Sequence, residues 1–395
     1  MENRPVVVVG SGPAGAATAL FLHRRCPELA RSCVVLEKAF HPREKVCAGG
    51  LIPRTLAFLA ELGVPLDVPH ASVRRARVDT PLGPVDYEDG DLCRVVRRAE
   101  FDALLVAACR ERGIEVREGV HVRRVLRESG GFRVETDRGS YRTRVVVGAD
   151  GSGSVVRRSL FPGSPGALGR AVMADVPLAG LDWDGFEKER YEFDFSGVAT
   201  GLRGYAWTFP CLVRGEPHAN VGVYSCDIRE RRLERALRER VRRLCGKDLP
   251  WKAFPVRGTS PPLRAPGVLL VGDAAGVDPL LGEGISCAFE YGRLAAESLE
   301  RAFRTGEFGF EEYGDRVRLG PLGRKLRRLS RATSLLYGRS WKVWFAFLRR
   351  SRRAQDVAVR WYNGVDGLDD EPLWKLFARV AGILPAGGEA GRGGS

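Results

Sequence analysis

VVVVGSGPAG, residues 6–15, is the stretch that decides the fold. Four consecutive valines read as a strand buried on both faces, the pattern of a parallel sheet. Gly10-Ser11-Gly12-Pro13-Ala14-Gly15 follows at once, and an alanine-rich helix is expected over 14–25. A second apolar strand, over 33–36, ends at Glu37. In that order the glycines have separate duties. Gly10 permits a tight turn, Gly12 lets backbone approach a diphosphate, and Gly15 lets helix and strand pack closely. Glu37 stands where a carboxylate holds ribose hydroxyls. The glycine spacing alone is a weak signal, but strand, helix and acid around it make a dinucleotide-binding unit at the head of an α/β chain.

A second stretch, VLLVGDAAGVDPLLGEGISCAF at 268–289, complements the first. It reads as a strand over 268–271, a turn at Gly272-Asp273, a loop through Pro279, and a helix over 285–303 entered through Gly282-Glu283-Gly284. Asp273 suits sugar-like hydroxyls. The N–H groups of Gly284, Ile285 and Ser286 are expected at the positive end of that helix, where an electron-rich ring edge such as that of a flavin is favoured.

Three intervening pieces carry polar chemistry. In the loop over 43–51 the glycines allow a flat ligand to approach backbone. Cys47 there reads either as a reactive thiol favoured by Arg43 and Lys45 or as a small buried cysteine. Arg98, just before a helix over 100–112, reads as a phosphate or ring-edge contact or as one more solvated arginine. Asp150, after a strand over 145–147, is either a polar ligand contact or part of a plain Asp-Gly turn.

From 166 to 263 strand-like pieces dominate, followed by a charged helix over 228–244. Tyr205, Trp207 and Phe209 alternate along one strand and so share a face, as the cover of a ligand or as core. The expected plan is a discontinuous nucleotide-binding domain (1–165 and 264–312), with a hairpin over 71–92 free to join the other domain. The remaining parts are an inserted sheet (166–263), a basic helical segment (313–385) and a disordered glycine-rich tail (386–395).

The net charge of +14 is local: thirteen Lys or Arg and no Asp or Glu lie between 316 and 353. Leu335, Leu336, Trp341, Trp344, Phe345 and Phe347 are interleaved with them, so 326–348 reads as an interfacial helix on a membrane or as a basic helix capping the domain. No recognition motif accompanies the charge, so nucleic acid is not an expected partner. Nine cysteines without a C-x-x-C pair and scattered histidines indicate neither a metal site nor a disulfide framework. No run of about eighteen apolar residues suggests a membrane span, and the first residues run straight into a strand without a signal peptide. A cytoplasmic chain touching the inner face of the membrane through 316–353 is the expectation.

Taken together, GSGPAG with Glu37, GADGSGSVVR (148–157) and LLVGDAAGVDPLLGEGI (269–285) resemble the FAD-dependent superfamily that includes p-hydroxybenzoate hydroxylase. KVCAGGL (45–51) and GYAWTFP (204–210) narrow the resemblance to the geranylgeranyl reductase family. The resemblance implies a Rossmann-like α/β FAD domain, an inserted, mainly antiparallel β-sheet substrate domain and a C-terminal helical segment. It implies that Gly10, Gly12, Gly15 and Glu37 serve the AMP half of FAD and that Pro13, Ala14, Lys38 and Val122 also bind the cofactor. Arg98, Asp150, Gly272 and Asp273 would serve its diphosphate and ribityl chain, and Gly282, Gly284 and Ile285 the ring edge. Lys45, Cys47, Gly49 and Gly50 would lie beside the ring, and Tyr205, Trp207 and Phe209 would wall a lipid tunnel. One departure is Ala48, which separates the cysteine from its glycines.

The implied reaction is saturation of C=C bonds in a polyprenyl lipid, with hydride from N5 of reduced FAD and a proton added at the neighbouring carbon, Cys47 being the candidate proton donor or cation-steering group. The implied reductant is NAD(P)H or a separate electron-carrier protein. Two rivals share the fold. One is a flavin monooxygenase or halogenase, although a halogenase is expected to carry W-x-W-x-I-P where GYAWTFP stands. The other is a non-catalytic flavin protein that binds lipid or passes electrons.

Overall fold

A computed structural model of the chain describes residues 1–164, 166, 168–258 and 262–385. The expected tail over 386–395 lies outside the described residues. Among them, two eight-stranded sheets organise the chain. In the first, the strand Glu2–Val9 pairs in parallel with Val34–Leu36 on one side and Gly139–Gly148 on the other. Glu115–Arg117 and Val268–Leu270 extend the two flanks, also in parallel. Val6 to Val9 are buried, as a strand covered on both faces requires. Helix Pro13–Arg25 packs on helix Ile285–Thr305, and the crossing is close because Gly292 lacks a side chain. A Cβ there would stand 2.8 Å from that of Ala17.

The second sheet runs Lys252–Arg257, Leu168–Pro177, Glu216–Ser225, Gly204–Val213, Arg190–Asp194, His70–Thr80, Gly83–Val96, Gly50–Leu51. It is antiparallel except where Arg190–Asp194 meets His70–Thr80. Its last three strands come from before residue 97, so the sheet reaches well beyond 166–263 and carries the loop over 43–49 on its edge. Helix Leu233–Cys245 covers the outer face through Leu233, Leu237 and Val241. It starts later than 228 because the Ile228 N–H bonds Leu168 O at 2.8 Å and prolongs the strand.

The single interfacial helix expected over 326–348 does not form. Helices Pro321–Leu336 and Trp341–Arg350 are separated by a turn through Gly338, and Arg352–Asn363 and Leu373–Val380 follow. Leu322, Leu326, Leu329 and Thr333 are buried at spacings of four, three and four, a helical core stripe. Leu322 and Leu326 join the core of the first sheet; Leu329, Tyr337 and Phe345 join that of the second. Of the apolar residues read as interfacial, Phe345 is buried, Leu336, Trp341 and Trp344 are half-buried, and Leu335 and Phe347 are exposed. Among the described residues no helix is long and apolar enough to cross a membrane.

Candidate active site

A cavity of about 1210 Å³ runs between the two sheets and the C-terminal helices. One end is built by the glycine turn. Gly10 has φ +100°, and a Cβ there would meet Ala149 O at 2.4 Å. A Cβ on Gly15 would stand 1.9 Å from Gly10 O, whereas one on Gly12 would meet only the Arg43 guanidinium, at 3.5 Å. Gly10, Gly12, Pro13 and Ala14 line the cavity. Gly15 and Gly272 lie just behind this lining at close-packed positions, which for Gly15 is the helix-on-strand packing its place in the motif called for. Gly272 has φ +56°, and a Cβ on it would lie 2.6 Å from that of Ala14. The helix Pro13–Arg25 has no side-chain cap, and Gly12, Pro13 and Ala14 at its start line the cavity, as an anion site requires.

Glu37 is buried, and its carboxylate is already engaged. Oε2 accepts from Ser11 N at 3.1 Å and Ser11 Oγ at 3.0 Å, and Oε1 accepts from Ala39 N at 3.1 Å. A ribose hydroxyl would join these bonds. Lys38 and Val122 line the same cavity. Asp150 caps a helix: its Oδ2 accepts from Val155 N at 2.6 Å and Val156 N at 3.2 Å, while buried Oδ1 has no partner. Burial pushes this carboxyl up. Asp273 Oδ2 accepts from Ser152 Oγ at 3.1 Å. An orphan acceptor, an uncapped helix start and a cradle that a Cβ would fill are what FAD needs, and the residues fit it. Asp150→Ala leaves the Val155 and Val156 N–H groups without their acceptor, so a stability loss of about 1–3 kcal/mol in thermal or urea melts is expected, with weaker FAD retention.

Arg98 is not a free arm. Its Nε and Nη2 donate to Asp102 Oδ1 and Oδ2 at 2.7 and 2.9 Å, and both residues are buried. Arg43 reaches the same carboxylate at 3.1 Å. Two guanidiniums thus share one acid beside Gly12, which leaves positive charge facing an anionic ligand. Sequence reasoning placed Arg43 only beside Cys47, because nothing in the spacing shows that its loop crosses the glycine turn.

The charges expected to favour a Cys47 thiolate are distributed differently. Arg43 turns to Asp102, and the Lys45 ammonium stands over the Phe254 ring. Arg98 and Lys45 are the cations that act on the Cys47 sulfur, which also accepts from Gly49 N at 3.4 Å. Burial lowers Lys45 to about 7, with the Asp273 carboxylate opposing the shift. Lys45, Cys47, Gly49 and Gly50 all line the cavity, as do Gly282, Gly284 and Ile285. Of the three N–H groups expected free at that helix start, Ser286 N is taken by Glu283 Oε1 at 2.7 Å. The Gly284 and Ile285 groups remain.

The other end is apolar. Tyr205, Trp207 and Phe209 are buried on its wall. The Trp207 indole N–H donates to Asn220 Oδ1 at 2.7 Å, so the ring brings no unmet polar atom to the chamber. Tyr191 and Phe193 extend the layer, with ring centroids 5.0 and 5.2 Å from Phe209. Sequence reasoning missed them, although Tyr191, Phe193 and Phe195 show the same period of two. Trp344, Phe345, Val357 and Trp361 of the C-terminal helices form the opposite wall.

The FAD binding domain family matches residues 3–300. Digeranylgeranylglycerophospholipid reductase 2 of Methanopyrus kandleri is 32% identical over 338 residues, covering 79% of this chain and 81% of that protein. Menaquinone reductase of Mycolicibacterium smegmatis is 32% identical over 321 residues, covering 74% and 75%. A solved geranylgeranyl bacteriochlorophyll reductase-like protein from Thermoplasma acidophilum superposes with a TM-score of 0.75 at 22% identity, covering 98% of this chain and 97% of that one. That likeness shows the shared fold, and the sequence matches show the lineage. With a glycine turn that fits FAD opening into an aromatic chamber, the chain belongs to the geranylgeranyl reductase family of FAD-dependent oxidoreductases.

Proposed function

We propose that this enzyme saturates C=C bonds of a polyprenyl lipid whose chain lies in the aromatic chamber. The observation that carries the reading is that one cavity joins the FAD end to that chamber. Bound and reduced, FAD supplies hydride. The protein's part is to hold the chain against the ring edge, exclude water and deliver a proton, because an isolated alkene has no carbonyl to activate it. Cys47 is the proposed proton source. Lys45, brought to about 7 by burial, competes for that role. If Lys45 is the acid, kcat falls as pH rises through about 7 and Lys45→Met loses that limb. If Cys47 is the acid, Cys47→Ser lowers kcat on bound lipid and leaves FAD binding intact.

The chamber also bears on the lipid's orientation. Arg328 reaches its wall but donates to Glu371 O, and the other lining cations named above stand at the FAD end. A tail-first substrate with its polar head at the opening suits this distribution better than a buried diphosphate. Phe347 and Phe377 both line the cavity and are exposed, and Val343, Trp374 and Ile383 are exposed nearby in sequence. With Lys342, Arg349, Arg350 and Lys375 on the same two helices, Trp341–Arg350 and Leu373–Val380, we assign them a peripheral contact with anionic membrane. Changing Trp374 and Phe377 together to Asp is expected to cut co-sedimentation with phosphatidylglycerol vesicles at least tenfold while FAD content is unchanged. Unchanged sedimentation would remove the membrane contact. The electron source is NAD(P)H or a separate carrier protein, and anaerobic mixing with NADPH bleaches the flavin only in the first case.

A further inference from the structure

The loop over 278–281, between the Gly272 turn and helix Ile285–Thr305, is gripped by four phenols from four elements. Tyr205, on the strand Gly204–Val213, donates to Leu281 O at 2.6 Å. Tyr224, on Glu216–Ser225, donates to Pro279 O at 3.0 Å. Tyr337, at the end of Pro321–Leu336, donates to Leu280 O at 2.7 Å. Tyr362, on Arg352–Asn363, donates to Asp278 Oδ2 at 3.1 Å. Asp278 is 1% exposed and turns back on its own loop, accepting from Leu280 N at 2.6 Å and Leu281 N at 3.1 Å. Each carbonyl from Pro279 to Leu281 therefore has a tyrosine donor, and the acid that shapes the loop has another. What distinguishes this loop is that two donors come from the C-terminal helices, while Leu280 to Gly284 line the cavity where the FAD ring edge is received.

We propose that Tyr337 and Tyr362 are positioning residues through which the C-terminal helices set the shape of the 278–284 loop at the flavin edge, with Asp278 as the internal acceptor. The carboxyl is coupled to its surroundings by burial, which raises it to about 6, and the Tyr362 hydroxyl pulls the other way. The groups that bear on it are Glu283 of its own loop, Tyr205 and Tyr224 of the sheet, Cys287 of the following helix, and Tyr337 and Tyr362 of the C-terminal helices, with Lys325 donating to the Tyr362 carbonyl behind them. The proposal stands on FAD binding and is independent of which lipid is reduced.

The test is made on the holoenzyme without lipid, by following the absorption of bound FAD between about pH 5 and 8 together with the rate of FAD release. The wild-type flavin is expected to show a transition near about 6. Asp278→Asn removes it, and Tyr362→Phe, which keeps the ring and deletes only the donor, moves it up by about one unit. Tyr337→Phe leaves the transition and speeds FAD release severalfold. Tyr141→Phe, whose hydroxyl accepts from Arg117 at 2.9 Å away from this loop, serves as control and matches the wild type. A flat wild-type profile overturns the proposal. So does a Tyr362→Phe protein with the wild-type profile and release rate, whatever its melting temperature.

Discussion

Gly15→Val protein is expected to purify without colour, with FAD affinity reduced on the order of a hundredfold or more, about 2.7 kcal/mol. The cause is steric and local. A Cβ at this position would lie 1.9 Å from Gly10 O and 3.2 Å from the Ala149 Cβ, both at the floor of the turn. Relief requires the helix Pro13–Arg25 to move off the strand Glu2–Val9, which turns its N–H groups away from the diphosphate. Gly15 does not itself reach the cavity, so the loss reports the turn and not a lost contact. Flavin absorbance of the purified protein and isothermal titration with FAD measure it. Gly12→Ala is the milder companion: its Cβ meets only the flexible Arg43 guanidinium, and retention of most FAD affinity is expected. Equal damage from both substitutions would mean that the two glycines do not have the separate duties assigned to them.

A second large effect is expected at the opposite end. Ala358 lines the chamber on helix Arg352–Asn363 and is half-buried. Ala358→Trp places an indole in the space proposed for the chain. Turnover of a full-length polyprenyl lipid should fall by two orders of magnitude, about 2.7 kcal/mol in kcat/KM, while FAD affinity and melting temperature stay near wild type. A short prenyl alcohol that does not reach Ala358 should lose much less. If long and short substrates fall together, the chain does not lie along this helix.

The two ends of the cavity were unequally legible in the sequence. The glycine turn declares itself because its constraints are short-range: Gly10, Gly12 and Gly15 sit within six residues of one another, between a valine strand and an alanine helix. Asp150 and Asp273 were visible as acids at strand ends, and the sheet of rings at Tyr205 to Phe209 as a period of two. The division of labour among Gly10, Gly12 and Gly15 was legible too, whereas the tight packing of Gly272 against Ala14 needed coordinates, because the two lie far apart in the chain.

The C-terminal helices were legible only in part. Leu322, Leu326, Leu329 and Thr333 carry an ordinary buried stripe. The opposite face is crowded with arginine, and nothing local shows that Trp344, Phe345 and Val357 close the chamber. Arg43 and the tyrosines at 337 and 362 were illegible for a different reason. Their partners, Asp102 and the loop over 278–281, lie tens of residues away, and nothing local marks the pairing.

One measurement reaches the central claim directly. Holoenzyme reduced chemically under anaerobic conditions is mixed with a lipid bearing geranylgeranyl chains, and flavin absorbance and lipid mass are followed together. The account predicts that the flavin reoxidises without oxygen and that the lipid gains two hydrogens for each flavin reoxidised. A flavin that stays reduced until air is admitted, with lipid mass unchanged or raised by oxygen, would contradict it.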